Sequence, residues 1–174
     1  MKRLYLLRHA KSSWDDPTLA DHDRPLAARG RRAAKVMAKH LGRKGISPEL
    51  VLCSPSTRTR QTLKRLAPAL GKNADVRIEP ELYASSATDL LEVLHEVPDK
   101  VESVMLIGHN PGVQDLALSL ASAGSEIPRL RSGFPTAALA TLELKGTWRE
   151  LAPGSAELLS LVKPKELSAA ANGA

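Results

Sequence analysis

Two histidines and two arginines stand where they could act together on one anion. Arg8 and His9 end an apolar run at residues 4–7 that has the length and composition of a buried strand. His109 follows a second such run, residues 101–107, within Gly108-His109-Asn110-Pro111. Arg58 lies just past a third run, residues 50–53, in Ser54-Pro55-Ser56-Thr57-Arg58. A neutral imidazole is a nucleophile toward phosphorus, and a guanidinium offers a planar fork to two phosphate oxygens. Gathered without an anion, these groups would repel one another, so the ligand they call for is a phosphoryl group. A helix start near Arg58 or after His109 would add backbone N–H donors. A metal site is not expected. None of the five histidines has a His-x-His or His-x3-His partner, and carboxylates do not cluster at the strand ends.

For these residues to meet, three strand ends must share one edge of a sheet. The hydrophobic pattern supplies the elements. Strands are predicted at residues 4–7, 50–53, 75–79, 101–107 and 137–144, with residues 148–151 returning as a hairpin partner after a turn at Gly146. Helices are predicted after Gly30 to residue 41, ended by Gly42 and Gly45, then over 57–70, 87–97 and from Gly112 to about 123. Pro68 sits near the end of the second, and Thr88 is the expected N-cap of the third. Residues 12–28 and 124–136 read as loops from their Pro, Gly, Asp and Ser content, and residues 155–164 as a short final element. Strands alternating with helices imply an α/β fold, a three-layer α/β/α sandwich around a mostly parallel sheet. Such sheets bind ligands at the carboxyl ends of their strands.

Composition bounds the rest. The chain has 174 residues, enough for one domain, expected over residues 1–165, with 166–174 as an unstructured tail. No run of about 18 apolar residues suggests a membrane span, and too few apolar residues precede Arg8 for a signal peptide. The single cysteine, Cys53, fits a reducing, cytoplasmic setting and reads as a buried thiol. The net charge of +6 raises nucleic acid as a partner. The cations are spread along the chain, however, and aromatics make up only 3%, so stacking platforms are nearly absent and no nucleic acid is expected.

The motifs Leu7-Arg8-His9-Ala10, Ser54-x-x-x-Arg58-x-x-Gln61-Thr62 and Gly108-His109-Asn110-Pro111 resemble those of the histidine phosphatase superfamily, the phosphoglycerate mutase-like proteins. Arg24-Pro25-Leu26 and Gly30 are also similar to the family pattern. The short chain and the Leu-Arg-His-Ala-Lys-Ser-Ser-Trp start most resemble the SixA-like phosphohistidine phosphatase branch. The resemblance implies that His9 is transiently phosphorylated. It implies that Arg8, Arg58 and His109 hold the phosphoryl oxygens, with Arg24 and Asn110 as further phosphate or substrate contacts and Ser54 orienting them. It implies no cofactor, a monomer, and a phosphorylated protein or a small phosphorylated metabolite as partner, away from membranes.

Two departures stand out. The family's Arg-His-Gly triplet ends here in Ala10, which would be strained if the position needed a positive φ. Mutase-type relatives also place a Glu to protonate the leaving oxygen; here Glu81 is the nearest candidate, with Glu79 and Asp16 behind it, and none matches the pattern. A phosphoramidate such as phosphohistidine leaves as an imidazole that can already carry a proton, unlike an alkoxide, so this gap favours phosphohistidine as substrate. Only about 28 residues separate Gln61 from Asp89, leaving no lid-sized insertion over the pocket. The competing expectations are a phosphatase for a small phosphomonoester, such as a sugar phosphate or nucleotide, and a non-catalytic phosphate-binding module. His22, His40 and His95 are expected to be structural, Arg60 to lie on a helix surface, Trp14 to pack in a loop, Lys11 to be a rim cation, and Gln114 and Asp115 to begin a helix.

Overall fold

The computed structural model describes residues 1–173. Its centre is β1 (Lys2–Arg8), which pairs in parallel with β4 (Ser103–Gly108) on one side and antiparallel with β6 (Leu139–Leu144) on the other. Outward from β4 come β2 (Leu50–Cys53) and the edge strand β3 (Asp75–Ile78), both parallel. Outward from β6 come β7 (Ala156–Val162), antiparallel to it, and the short β5 (Ala121–Ala123). The seven-stranded order is β3-β2-β4-β1-β6-β7-β5, mixed but mostly parallel.

The central strands carry unbroken apolar runs, residues 4–7, 50–53 and 104–107, because both faces are covered there. Leu4, Leu6, Leu50, Leu52, Val104 and Leu106 face α3 (Ala87–His95), α4 (Gly112–Leu120) and α5 (Ile127–Ser132) in one cluster. Their alternates, Tyr5, Leu7, Val51, Cys53, Met105 and Ile107, face α1 (Ala28–Lys44) and α2 (Thr57–Leu66) in another. The two-residue period of each strand thus builds a three-layer sandwich. Cys53 is buried there, which pushes its thiol up to about 12 and leaves it unreactive.

Local signals explain the helix boundaries. Ser56 caps α2 by accepting from the Thr59 amide, and α2 stops at Leu66, where a 3-10 turn containing Pro68 takes over from the longer helix expected. The cap of α3 is Ser86 rather than Thr88. Its hydroxyl accepts from the Asp89 amide while the Asp89 carboxylate accepts from the Ser86 amide. Gly45 ends α1 in the left-handed conformation. Gly30 matters through closeness, since a Cβ there would lie 2.1 Å from the Lys11 carbonyl oxygen. A bare backbone lets α1 rest against the segment following His9.

Three expectations need correction. The partner of β6 is β7, not residues 148–151; Trp148 is instead fully buried, its indole N–H donating to the Val101 carbonyl at 2.7 Å. The expected loop at 124–136 contains α5, and α4 ends at Leu120, where three residues join the sheet edge as β5. The expected tail begins as α6 (Pro164–Gly173), with Leu167 packed on the α1 side of the sheet; residue 174 lies outside the described residues. No helix among the described residues is long and apolar enough to cross a membrane.

Candidate active site

Strand register places the imidazoles side by side. Arg8 lies opposite Gly108 in the β1–β4 pair, and the His9 amide donates to the Gly108 carbonyl at 3.0 Å. The next residue on each strand is a histidine, and their ring centroids are 5.2 Å apart at a 55° tilt. The β2–β4 register brings Ser54 alongside, its amide donating to the Ile107 carbonyl. Because β1 leads to α1 on one face and β4 to α4 on the other, these ends sit where the chain's course over the sheet diverges, the place open α/β sheets use for ligands.

Hydrogen bonding fixes both tautomers. His9 Nδ1 lies 2.7 Å from the Ala10 carbonyl oxygen, which only accepts. The proton is therefore on Nδ1 and the lone pair on Nε2. His109 Nδ1 accepts from Arg58 Nη2 at 3.3 Å, because a guanidinium only donates. His109 Nε2 then carries the proton and donates to Ser54 Oγ at 2.7 Å. Burial, reinforced by Arg58, Arg8 and Arg24, lowers the His9 pKa to about 4. Burial, then His9 and Arg58, lowers that of His109 to about 3. Both rings are neutral near pH 7, as a nucleophile must be.

The cations surround the imidazoles. Arg58 is buried from the first turn of α2; Arg8 donates through Nη1 to the Phe134 carbonyl at 3.0 Å. The Nε of Arg8 is buried and meets no acceptor, and burial together with Arg58 disfavours its charged form. An anion between Arg8 and Arg58 would relieve both effects. Ala10 is buried, takes no positive φ, and donates its amide to Thr62 Oγ1 at 3.0 Å, so the departure from Gly brings no backbone strain.

The carboxylate at this site is Asp21, which the sequence reading placed only in a loop. It lies on a 3-10 turn, Asp21–Asp23. Its Oδ2 accepts from Arg58 Nη2 at 3.0 Å and from the Tyr83 hydroxyl at 2.6 Å, and its Oδ1 accepts from Arg24 Nη1 at 3.2 Å. Its backbone carbonyl takes Arg58 Nη1 at 2.7 Å. The Tyr83 hydrogen bond and Arg58 hold the carboxyl below its usual range, so it is ionised and a poor proton donor. Tyr83 also sets its ring edge-on to His109 at 5.4 Å. No spacing rule links residue 21 to 58 or 83, so sequence alone carried no signal for this group.

The other candidates divide. Arg24 joins the cluster: it is buried, bonds Ser12 and Asp21, and its guanidinium lies 3.3 Å from the Trp14 ring centroid. Trp14 is 70% exposed, so it forms a rim rather than the loop packing expected. Asn110 serves architecture: its amide donates to Gln114 Oε1 and to the Phe134 carbonyl that Arg8 also uses. Glu81 is not brought to the imidazoles. It lines the cleft between β3 and α3 with Glu79, Arg77 and Glu92, while Asp16 binds Thr18 in the exposed loop. His40 is buried, His95 bonds the Leu151 carbonyl, and His22 stacks edge-on against Tyr83. Among the described residues, no three His, Cys, Asp or Glu side chains are grouped to hold a metal.

Residues 4–102 match the histidine phosphatase superfamily, branch 1. The chain belongs to that superfamily. An uncharacterized protein of Mycobacterium tuberculosis is 37% identical over 163 residues, covering 91% of this chain and all of that protein. Among solved structures, the protein histidine phosphatase SixA complexed with tungstate superposes with a TM-score of 0.78 at 26% identity, over 95% of this chain and 99% of that one. A protein from Agrobacterium tumefaciens, named provisionally as a phosphohistidine phosphatase SixA, gives 0.81 at 31% identity, over 94% and 98%. In this member of the superfamily the candidate site is built on the ends of β1, β2 and β4, with one loop supplying Arg24 and Asp21.

Proposed function

We propose that this histidine phosphatase hydrolyses phosphohistidine on a protein, through a covalent phosphohistidine at His9. The carrying observation is the His9 ring: neutral, with Nδ1 held by the Ala10 carbonyl and Nε2 bearing the lone pair beside Arg8, Arg58 and His109. In the first step Nε2 attacks phosphorus in line. The bond from phosphorus to the substrate imidazole breaks; that ring carries a proton on its other nitrogen, so the electron pair returns to the departing nitrogen and a neutral imidazole leaves. Arg8 and Arg58 hold the phosphoryl oxygens as charge moves onto them, and His109 joins them as a donor when the bound anion draws a proton onto its Nδ1. Water then attacks the phosphorylated His9, releasing phosphate and restoring the Nε2 lone pair.

The state of Asp21 supports the choice of substrate. It is ionised and tied to two guanidiniums, so it is a poor acid for an alkoxide. A departing imidazole needs no such donor. The likeness to SixA, at 26–31% identity, points the same way. On this reading residues 1–165 act as one catalytic domain, a cytoplasmic monomer without cofactor.

The test is single-turnover labelling with a phosphohistidine-bearing protein. An acid-labile, base-stable label on His9 is expected, with turnover lost in His9→Ala and unaffected by chelators. Full turnover in that variant overturns the reading. A preference by orders of magnitude for a sugar phosphate or nucleotide in a substrate panel would assign the small-phosphomonoester activity instead. Phosphate binding without hydrolysis of any activated aryl phosphate would leave a binding module.

A further inference from the structure

The net positive charge of this protein comes from one layer. Helices α1 and α2 together hold eleven Arg and Lys and no Asp or Glu. The chain's net charge is +6, so everything outside these helices sums to −5 (six less eleven). Every exposed residue of α2, namely Arg60, Lys64 and Arg65, is a cation. On α1 the exposed residues are cations apart from Ala28 and Gly42.

This layer adjoins the catalytic pocket. Arg58 turns inward from α2 to Asp21 and His109, while Gln61 and Lys64 on the same helix face outward. A groove between α1 and α2 is lined by Leu26, Arg31, Lys35, Gln61, Lys64 and Arg65. Its end is closed by the Leu26 amide donating to Gln61 Oε1 at 2.8 Å, which ties the loop carrying Arg24 to the helix carrying Arg58. Lys64 lies about 9 Å along the helix axis from Arg58, at 1.5 Å per residue. A partner whose phosphoryl group is held by Arg58 would extend over these cations.

We infer that the α1–α2 groove is a docking surface for an acidic protein segment flanking the phosphorylated side chain. The inference rests on the phosphohistidine phosphatase reading above. Charge complementarity names the occupant, and the side chains separate it from other polyanions. Neither helix carries a Trp, Tyr or Phe on which bases could stack. None of the exposed large apolar residues, including Trp14, Leu19, Val76 and Ile78, lies on either helix to enter a bilayer. Charges at the rim of an interface act chiefly on the association rate, so their mark is a salt-dependent kcat/KM.

The test has two arms. In the first, a fluorescein-labelled glutamate-rich peptide without phosphate is titrated by anisotropy against the wild type and against a variant combining Lys35→Glu and Lys64→Glu. Binding should weaken about tenfold or more in the variant and in about 0.5 M NaCl, where the Debye length falls to a few ångströms. Equal binding by wild type and variant overturns the inference, as does capture of duplex DNA or anionic vesicles with no binding of the peptide. In the second arm, two phosphohistidine peptides differ only in Glu or Gln flanks. The Glu-flanked one should show a kcat/KM roughly tenfold higher at low salt, the gap closing in the variant and at high salt. Equal values overturn the inference. Unchanged thermal unfolding of the variant and unchanged hydrolysis of a small aryl phosphate show that its site is intact. Failure to hydrolyse either peptide, with glutamate-peptide binding preserved, would defeat the phosphohistidine reading and leave the acidic-segment surface standing.

Discussion

Asp21 holds Arg58 at two points, its carboxylate on Nη2 at 3.0 Å and its backbone carbonyl on Nη1 at 2.7 Å. The same carboxylate takes Arg24 and the Tyr83 hydroxyl. Asp21 therefore does two opposing things. It aims the Arg58 fork and it neutralises part of the charge that an arriving phosphoryl group would meet.

Asp21→Asn keeps a side-chain acceptor and removes the negative charge. Oxyanions should then bind more tightly. An inhibition constant for tungstate lower by about five-fold, the scale of one partly exposed charge pair, is expected. An unchanged constant would show that Asp21 does not compete with the ligand.

Arg58→Lys preserves charge and loses the fork. A lysine cannot bond Asp21 and His109 Nδ1 while presenting two parallel donors to a phosphoryl group. A fall in kcat/KM of about a hundredfold is expected, with a loss of about 1–3 kcal/mol in stability because acceptors on Asp21 and His109 lose their donors. Activity within a few-fold of wild type would remove Arg58 from the reaction.

Ser54→Ala leaves the half-buried N–H on His109 Nε2 without its acceptor. The variant should lose about 1 kcal/mol of stability, the net worth of one hydrogen bond. Its kcat should fall as well, because His109 is no longer held toward His9. Denaturant unfolding and steady-state kinetics measure the two separately.

The pH dependence follows from the lowered imidazole pKa values. Unfolded histidine titrates near 6.5, whereas His9 and His109 in the fold titrate at about 4 and about 3. Between those limits the unfolded chain binds protons that the native chain does not, so stability is full above pH 6.5 and falls as pH drops through the window. The slope is at most about 1.4 kcal/mol per pH unit for each ring. The acid limb of kcat/KM should lie well below 6.5. An oxyanion between the rings favours their charged forms, so tungstate binding at pH 6 should take up protons in calorimetry across buffers of different ionisation enthalpy. No proton uptake would mean that the anion does not sit against the imidazoles.

The layered α/β fold was legible because its determinants are local. The runs at 4–7, 50–53 and 101–107 are too apolar to face water on either side, and the intervening helices carry their own stripes. What misled was context. Trp148 and Leu151 look like a strand, yet they plug the core beneath β4; residues 121–123 look helical, yet β7 offers them a sheet edge. Ser86 displaced Thr88 as cap because Asp89 completes a reciprocal pair only with Ser86.

The site divides along the same line. His9, His109, Arg8 and Arg58 could be read from sequence because each adjoins a strand end, and a parallel sheet brings such ends to one edge. Glu81 was the nearest acid by sequence, but the turn at residues 80–82 sends it to the cleft beside α3. Asp21 and Tyr83 entered through loops, whose paths depend on contacts between residues 37 and 62 positions apart. The tautomers of the two imidazoles were likewise decided only in three dimensions. They depend on which acceptor or donor each ring nitrogen faces, and that is a property of packed strands and not of chain order.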